Sequence, residues 1–271
     1  MTSGEDRERN LRDARALVRE AAAAGARLAV LPENFALMSA DERRRWRAAE
    51  PDGHGPIQDA LADMAAASGV WLVGGSLPIA AAQNRPPASA CCVYDPGGRR
   101  RARYDKIHLF DVDVPGSGER YRESATTTPG ELPVALDTPW GRLGLAVCYD
   151  LRFPELFRQL SEQGAEIFAV PAAFTRATGR AHWDVLLRAR AIENLAHVIA
   201  AAQAGTHPGG RRTWGHTAIV EPWGEIVAQR ASAPGVVLAE LDPQRTRRLR
   251  EQFPALQHRR LGGKDRDDGR N

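Results

Sequence analysis

The chain has 271 residues, which is enough to bury one large core in a single domain. Its composition is typical of a globular protein, and its net charge of +3 does not favour nucleic acid or a membrane surface as a partner. No apolar run approaches the roughly 20 residues of a membrane-spanning helix, and the polar N-terminus is not typical of a secretory signal.

Hydrophobic periodicity predicts alternating helices and strands along the chain. In order, the pattern predicts a helix at 5–24, a strand at 28–31, a helix at 56–68, strands at 70–74, 90–94 and 99–104, a long loop at 111–130, strands at 134–137 and 143–147, a helix at 154–163, a strand at 167–170, a helix at 181–196, strands at 198–202, 217–220, 225–228 and 236–241, and a helix at 243–252. No linker or repeat interrupts this pattern. We therefore expect one mixed α/β domain over residues 1–261, followed by a disordered tail at 262–271.

Cysteine and histidine usage limits the kinds of site that the chain can form. Three cysteines, Cys91, Cys92 and Cys148, cannot make a framework of disulfides, so a reducing cytoplasm is the expected compartment. The seven histidines lie in unrelated contexts, and no spacing typical of metal ligands appears.

Lysine is rare in this chain. Of the 37 lysine and arginine residues, only Lys106 and Lys264 are lysine. An ammonium is a compact charge whose pKa responds to its surroundings, whereas a guanidinium is a wide, permanently charged fork. Lys106 ends a predicted strand, in the run Arg-Tyr-Asp-Lys-Ile-His-Leu-Phe, which indicates a site where arginine cannot substitute. The alternative is a solvated surface charge.

Cys148 lies between a predicted strand and a predicted helix. Unpaired backbone N–H groups and the positive end of the helix dipole favour a thiolate at such a position, and the same N–H groups can hold an oxyanion. These properties predict a nucleophile. A small buried hydrophobic residue is the alternative, and Cys148 alone does not decide between the two.

Glu33 also follows a predicted strand. Burial there is expected to raise its carboxyl pKa, which suits a general base near neutral pH, whereas a helix cap or surface acid is the alternative. Because open α/β sheets bind ligands at their strand ends, we expect Glu33, Lys106 and Cys148 to form one site. His108 is not clearly placed to serve Cys148, which argues against a cysteine–histidine pair.

These three segments resemble the nitrilase superfamily of carbon–nitrogen hydrolases. The resemblance rests on Leu-Pro-Glu33-Asn, on Asp-Lys106-Ile-His-Leu-Phe and on Val-Cys148-Tyr-Asp-Leu-Arg-Phe-Pro-Glu, and it extends from about residue 1 to residue 258. It implies an α-β-β-α sandwich, a homo-oligomer of two or more chains, and a triad that needs no metal or cofactor. In that triad Glu33 is the general base, Lys106 stabilises the oxyanion and Cys148 is the nucleophile. The resemblance also implies that Glu123 holds substrate and water in place.

Finer segments are most similar to the deaminated glutathione amidases within that family. They comprise residues 106–116, 181–183, 202–207, 214–216 and 257–260. A neighbouring branch, the ω-amidases, acts on α-ketoglutaramate. Both branches are expected to hydrolyse a terminal amide beside a carboxylate, and the predicted products here are an acid and ammonia, formed through a cysteine thioester.

A substrate carboxylate requires a cation in the site. Arg152 and Arg176 are the candidates, and a structural ion pair is the alternative for each. The backbone N–H of Tyr149 is expected to share the oxyanion with Lys106. Phe174 and Thr175 complete the predicted substrate-binding residues, although core packing is the alternative for Phe174.

Two other functions are compatible with these motifs. The same triad can act on a nitrile or an N-carbamoyl compound. A non-catalytic binding protein could also keep the fold. Family members usually begin with a short apolar strand, and this chain starts after the position of that strand. We therefore expect either a start further upstream or a less stable fold with an exposed sheet edge.

Overall fold

The structure is a computed structural model that describes residues 1–82, 85–116 and 118–261, apart from the side chain of Glu42. The tail at 262–271, which we expect to be disordered, lies outside the described residues. Six α-helices form in the described part of the chain: α1 (Arg7–Ala23), α2 (Glu42–Arg47), α3 (Pro56–Ser68), α4 (Pro154–Glu162), α5 (Arg176–Asn194) and α6 (Pro243–Gln252).

The same residues form fifteen strands. They are β1 (Leu28–Val30), β2 (Trp71–Val73), β3 (Leu77–Ile79), β4 (Ala88–Tyr94), β5 (Arg100–Asp105), β6 (Asp111–Asp113), β7 (Arg120–Arg122), β8 (Ala135–Thr138), β9 (Gly141–Leu145), β10 (Ile167–Ala169), β11 (His197–Ala200), β12 (Ala204–Thr206), β13 (Arg212–Trp214), β14 (Thr217–Val220) and β15 (Ile226–Arg230). Most lie within one or two residues of their predicted positions. The sequence pattern misses α2, β3, the β6–β7 hairpin and the β12–β13 hairpin, because each is too short to show a hydrophobic period.

Two large sheets organise the molecule. The first contains β1 to β5, in which β4 pairs with β2 and β3 along one edge and with β5 along the other. The second has the order β15-β14-β11-β10-β9-β8, and its central strands β9, β10 and β11 are parallel. Parallel neighbours bring several strand ends to the same edge, which is where the site forms.

The strand β4 shows how the layers pack. Its Cys91 and Val93 lie in a core shared with the second sheet, whereas Cys92 and Tyr94 pack with α1 and α3. Successive strand side chains point to opposite faces, so this strand is covered on both sides. The shared core continues to α4 and α5. The layers are therefore α1 and α3, the first sheet, the second sheet, and α4 and α5, which confirms the predicted α-β-β-α sandwich.

The predicted strand at 236–241 is wrong. This segment is irregular, although it alternates partly between half-buried and exposed residues. It lines an apolar groove of about 490 Å³ together with β1, which pairs only with β2 among the described residues. A strand needs a neighbour to satisfy its backbone groups, and no described strand lies beside 236–241 to form a ladder. β1 is thus an edge strand of the first sheet among the described residues.

Candidate active site

Glu33, Lys106 and Cys148 lie just beyond the ends of three strands. Glu33 follows β1 and Lys106 follows β5, both in the first sheet, whereas Cys148 follows β9 in the second. All three side chains line one cavity where the two sheets meet. The structure therefore brings together the three residues that the sequence pattern places at strand ends.

The backbone at Cys148 directs its side chain into this cavity. Cys148 opens a 3₁₀ turn, Cys148–Arg152, and has a φ of 51°, in the left-handed region that few side chains tolerate. Its N–H donates to the carbonyl of Pro171 at 2.8 Å, which holds the turn against the chain that follows β10. A strained conformation fixed by its surroundings is common at functional sites.

Asp150 connects this turn to the segment around Lys106. Its fully buried carboxylate accepts from the backbone N–H of Val147 at 2.8 Å and from the hydroxyl of Tyr104 at 2.7 Å. The backbone N–H of His108 also donates to Asp150, at 3.1 Å, and the His108 ring lies 2.7 Å from the same oxygen. His108 thus has a hydrogen-bonding role beside the site, as its sequence context suggests.

Lys106 is buried between two carboxylates. Its Nζ donates to Glu33 Oε1 at 2.9 Å and to Glu123 Oε2 at 2.8 Å, and the residue is only 1% exposed. Burial alone would lower the pKa of the Lys106 ammonium, but the charges of Glu123 and Glu33 outweigh it and raise the pKa. The ammonium therefore stays protonated and presents a fixed positive charge to the cavity.

Glu123 reaches the site from the segment predicted to be a long loop. That segment contains the hairpin of β6 and β7, followed by a 3₁₀ turn, Glu123–Ala125. The backbone N–H of Phe110 donates to Glu123 Oε2 at 2.8 Å, so this oxygen is held by Lys106 and by the chain just beyond it. The sequence pattern alone leaves Glu123 as an ordinary loop acid, and the hairpin explains its burial.

The pKa of Glu33 is lowered, so the expectation that burial raises it is wrong. Burial is the largest single influence and would raise the pKa of this carboxyl. The charge of Lys106 and hydrogen bonds from Cys148 and Lys106 outweigh burial, with a further contribution from Arg211. Glu33 is therefore a carboxylate at neutral pH and can accept a proton.

The expectation of a thiolate at Cys148 is also wrong for the unliganded site. Burial raises the pKa of the thiol well above its usual value, and the neighbouring carboxylate of Glu33 raises it further. Lys106 lowers this pKa but does not compensate. The resting pair is thus a neutral thiol that donates a hydrogen bond to a carboxylate, and the thiol becomes a nucleophile when Glu33 takes its proton.

The cavity accepts a small group. Its volume is about 40 Å³, or room for roughly three water-sized groups. Tyr149, Arg152, Phe174 and Thr175 line it, as predicted for substrate-binding residues. Arg176 does not: it is exposed at the start of α5 and lies outside the lining, so the structure offers it no contact with a ligand here.

Two further arginines line the cavity and were not predicted. Arg45 lies on α2, and Arg211 immediately precedes β13. Arg45 ends the basic run at 43–45, in which nothing separates one arginine from the next, and Arg211 follows two glycines in a segment without periodicity. No local signal separates these arginines from the other 33 in the chain, because only the fold turns them towards the site.

Two other kinds of feature are absent from the described residues. Within the described residues, no group of three or more His, Cys, Asp or Glu side chains is arranged to hold a metal ion. No helix in that part of the chain is long and apolar enough to cross a membrane.

Comparisons with known proteins agree with the geometry. The family model described as carbon-nitrogen hydrolase matches residues 1–251. A deaminated glutathione amidase from Yersinia enterocolitica is 45% identical over 262 residues, which cover 96% of this chain and 91% of that protein.

Solved structures are similar as well. The NitFhit protein of C. elegans matches with a TM-score of 0.89 and 37% identity; the match covers 96% of this chain, which spans only 63% of that one. Saccharomyces cerevisiae Nit3, a member of branch 10 of the nitrilase superfamily, matches with a TM-score of 0.84 and 28% identity, covering 98% of this chain and 93% of Nit3. The chain therefore belongs to the carbon-nitrogen hydrolase family, as its motifs predict.

Proposed function

We propose that this amidase hydrolyses deaminated glutathione, with Cys148 as nucleophile, Glu33 as general base and Lys106 as oxyanion stabiliser. The observation that carries the proposal is the single cavity in which these residues and Glu123 meet. The high identity to relatives named deaminated glutathione amidase, over nearly the whole chain, supports the choice of substrate.

The first half of the reaction forms a thioester. Glu33 accepts the thiol proton while Cys148 attacks the amide carbonyl. The Lys106 ammonium, with the backbone N–H of Tyr149, stabilises the negative charge that develops on the carbonyl oxygen. Glu33 then delivers its proton to the departing nitrogen, so the amine leaves neutral and the acyl group remains on Cys148.

The second half releases the acid. Water enters in place of the amine, and Glu33 takes one of its protons as the water attacks the thioester carbonyl. Glu123, whose Oε2 is fixed by Lys106 and Phe110, holds the water and the substrate in place. The thiol recovers its proton from Glu33, which restores the resting pair.

The predicted release of ammonia needs a correction for this substrate. Glutathione is γ-glutamylcysteinylglycine, so the γ-amide of its deaminated form is secondary and joins a 2-oxo diacid to cysteinylglycine. Cleavage of that bond yields 2-oxoglutarate and cysteinylglycine. Ammonia is the product only for a primary amide such as α-ketoglutaramate.

The test is product release from both substrates by the same protein. We expect 2-oxoglutarate and cysteinylglycine from deaminated glutathione, with a higher kcat/KM than for ammonia release from α-ketoglutaramate. Cys148→Ala should abolish both reactions. Cys91→Ala serves as the matched control, because Cys91 is a free thiol in β4 that does not line the cavity.

The outcomes separate the branches of the family. Preference for α-ketoglutaramate would assign the chain to the ω-amidases instead. Turnover of neither substrate by folded protein would contradict both assignments, and activity that survives Cys148→Ala would contradict the mechanism.

We also propose that the protein is a homo-oligomer and acts in the cytoplasm. Val185 and Ile192 on α5, with Trp223 and Phe253, are large apolar side chains that remain exposed, as at interfaces between subunits. The three free cysteines suit a reducing compartment. Sedimentation velocity should detect a dimer or larger species, and a monomer at micromolar concentration would contradict the first proposal.

A further inference from the structure

Arg45 has unused hydrogen-bonding capacity inside the cavity. Its Nε is buried and has no hydrogen-bond partner, and its Nη2 lies at the long distance of 3.5 Å from Ser89 Oγ. A buried donor without a partner costs free energy, so such a group is expected to meet a ligand.

The neighbouring arginines on α2 are used differently. Arg44 forms an ion pair with Glu5 at 2.6 Å, and Arg47 forms one with Asp41 at 2.8 Å. Both are exposed, and neither lines the cavity. Arg45 is half-buried and forms no ion pair within the described part of the chain. Glu5 and Asp41 thus pair with two of the exposed arginines of α2, whereas Arg45 is turned towards the cavity.

The charges that line the cavity leave an excess of positive charge. Four cationic side chains, Arg45, Lys106, Arg152 and Arg211, face two carboxylates, those of Glu33 and Glu123. Both carboxylates hydrogen-bond to Lys106.

The other two arginines contact neutral groups. Arg152 lies over the ring of Phe174 at 5.2 Å, with Nη1 3.2 Å from the His182 ring. Arg211 donates from Nη2 to the carbonyl of Ala173 at 3.1 Å, although its Nε, like that of Arg45, is buried without a partner. The net excess is therefore two positive charges, which suits a substrate with two negative charges.

We propose that Arg45 binds a carboxylate of the substrate and thereby makes the enzyme selective for doubly anionic amides. This inference rests on the proposed function, since deaminated glutathione carries one carboxylate on its 2-oxo acid and another on its glycine. The planar guanidinium fork matches a carboxylate better than any other side chain does. Among the described residues, Arg45 forms no hydrogen bond or ion pair with Glu33, Lys106 or Cys148, so its role is in specificity.

Three substrates that differ in the carboxylates they carry test the proposal. They are deaminated glutathione, its glycine amide, and 4-oxopentanoyl-cysteinylglycine, in which a methyl group replaces the carboxylate of the 2-oxo acid. For one of the two analogues, wild-type kcat/KM should fall about 10- to 100-fold, as expected for a lost charged hydrogen bond. Arg45→Gln should remove that preference. It should lower kcat/KM for the substrates that carry the carboxylate bound by Arg45, and leave kcat/KM unchanged for the analogue that lacks it.

Arg47→Gln is the matched control, because it removes the same charge from the same helix outside the cavity. It should leave the wild-type preferences intact. Arg45→Lys keeps the positive charge but loses the planar guanidinium. Its substrate preference should lie between those of the wild type and Arg45→Gln. Thermal melting of each variant checks that α2 is still folded.

The proposal is overturned if Arg45→Gln prefers deaminated glutathione over each analogue by the same factor as the wild type does. It is also overturned if Arg45→Gln lowers kcat/KM for all three substrates by the same factor. Calorimetric titration of Cys148→Ala protein with deaminated glutathione, with and without Arg45→Gln, gives an answer that needs no turnover. Binding that is weaker with Arg45→Gln than without it supports the proposal, and binding that is unchanged, or already undetectable without Arg45→Gln, contradicts it. Loss of wild-type turnover would instead count against the proposed function, so the two failures are distinguishable.

Discussion

At the scale of single residues, the arrangement around Lys106 determines the protonation of its neighbours. One buried ammonium sits between two carboxylates and also acts on the Cys148 thiol. It therefore keeps Glu33 ionised, although burial alone would favour the neutral acid. In the proposed mechanism the same charge stabilises the oxyanion, so a single residue would serve both acid–base chemistry and charge stabilisation.

Replacement of Lys106 by arginine should remove most of the activity. The Lys106 side chain is fully buried between Glu33 and Glu123, and the space fits an ammonium. The larger guanidinium of arginine would therefore displace one of these carboxylates. We expect kcat to fall by about 100-fold or more, as when an oxyanion donor is lost. Steady-state kinetics on Lys106→Arg protein, with circular dichroism to confirm folding, measures this. Activity close to wild type would show that arginine can replace the ammonium here.

The pH dependence of kcat/KM should follow the lowered pKa of Glu33. The folded pKa lies below the usual 4.5, so the carboxylate and its stabilising contacts are present at neutral pH and are lost as pH falls through that lower value. We expect kcat/KM to be flat from neutral pH down to about 5, with its acid limb below 4.5. A pH profile on folded protein checks this, and an acid limb at about pH 6 to 7 would indicate a raised pKa instead.

At the scale of elements, the turn between β2 and β3 supports the end of β1. Gly75 has a φ of 61°, and a Cβ added there would lie 2.2 Å from the carbonyl oxygen of Pro32, next to Glu33. Ser76 Oγ also accepts from the backbone N–H of Asn34 at 3.0 Å. Glu33 is therefore positioned by a turn from a different part of the chain.

Gly75→Ala should destabilise the protein more than Gly69→Ala does. Gly69 has a similar φ of 64° and open space around an added Cβ, so it measures the left-handed strain alone. We expect a loss of about 1 kcal/mol in the free energy of unfolding for Gly69→Ala and about 3 kcal/mol or more for Gly75→Ala. Urea denaturation measures both. Equal losses would show that the contact with Pro32 relaxes freely.

At the scale of the whole molecule, the site depends on the junction between the two sheets. Gln203 follows β11 of the second sheet and is fully buried. Its amide donates to the carbonyl of Glu33 at 3.1 Å and to Ser3 Oγ at 2.7 Å, and it accepts from the Ser3 N–H at 3.1 Å. One side chain thus joins the second sheet to the end of β1 and to the first residues of the chain.

Gln203→Ala should weaken both folding and catalysis. The substitution leaves the Glu33 carbonyl and the Ser3 N–H buried without partners, so we expect the free energy of unfolding to fall by about 2 to 4 kcal/mol. A displaced Glu33 should also lower kcat. Gln229→Ala, which removes an exposed hydrogen bond to Asp184, is the control and should change stability by less than about 0.5 kcal/mol. Similar effects of the two substitutions would contradict this role for Gln203.

The sequence by itself determined the helix and strand pattern, the family, and the placement of Glu33, Lys106 and Cys148 at strand ends, because periodicity and short motifs are local properties. The tertiary structure decided what depends on neighbours distant in the chain. The protonation of Glu33 and Cys148 follows from charges that other parts of the chain bring close. Glu123 reaches the site from a hairpin, and Arg45 reaches it from a short helix. Residues 236–241 form no strand, because a strand needs a neighbour to pair with.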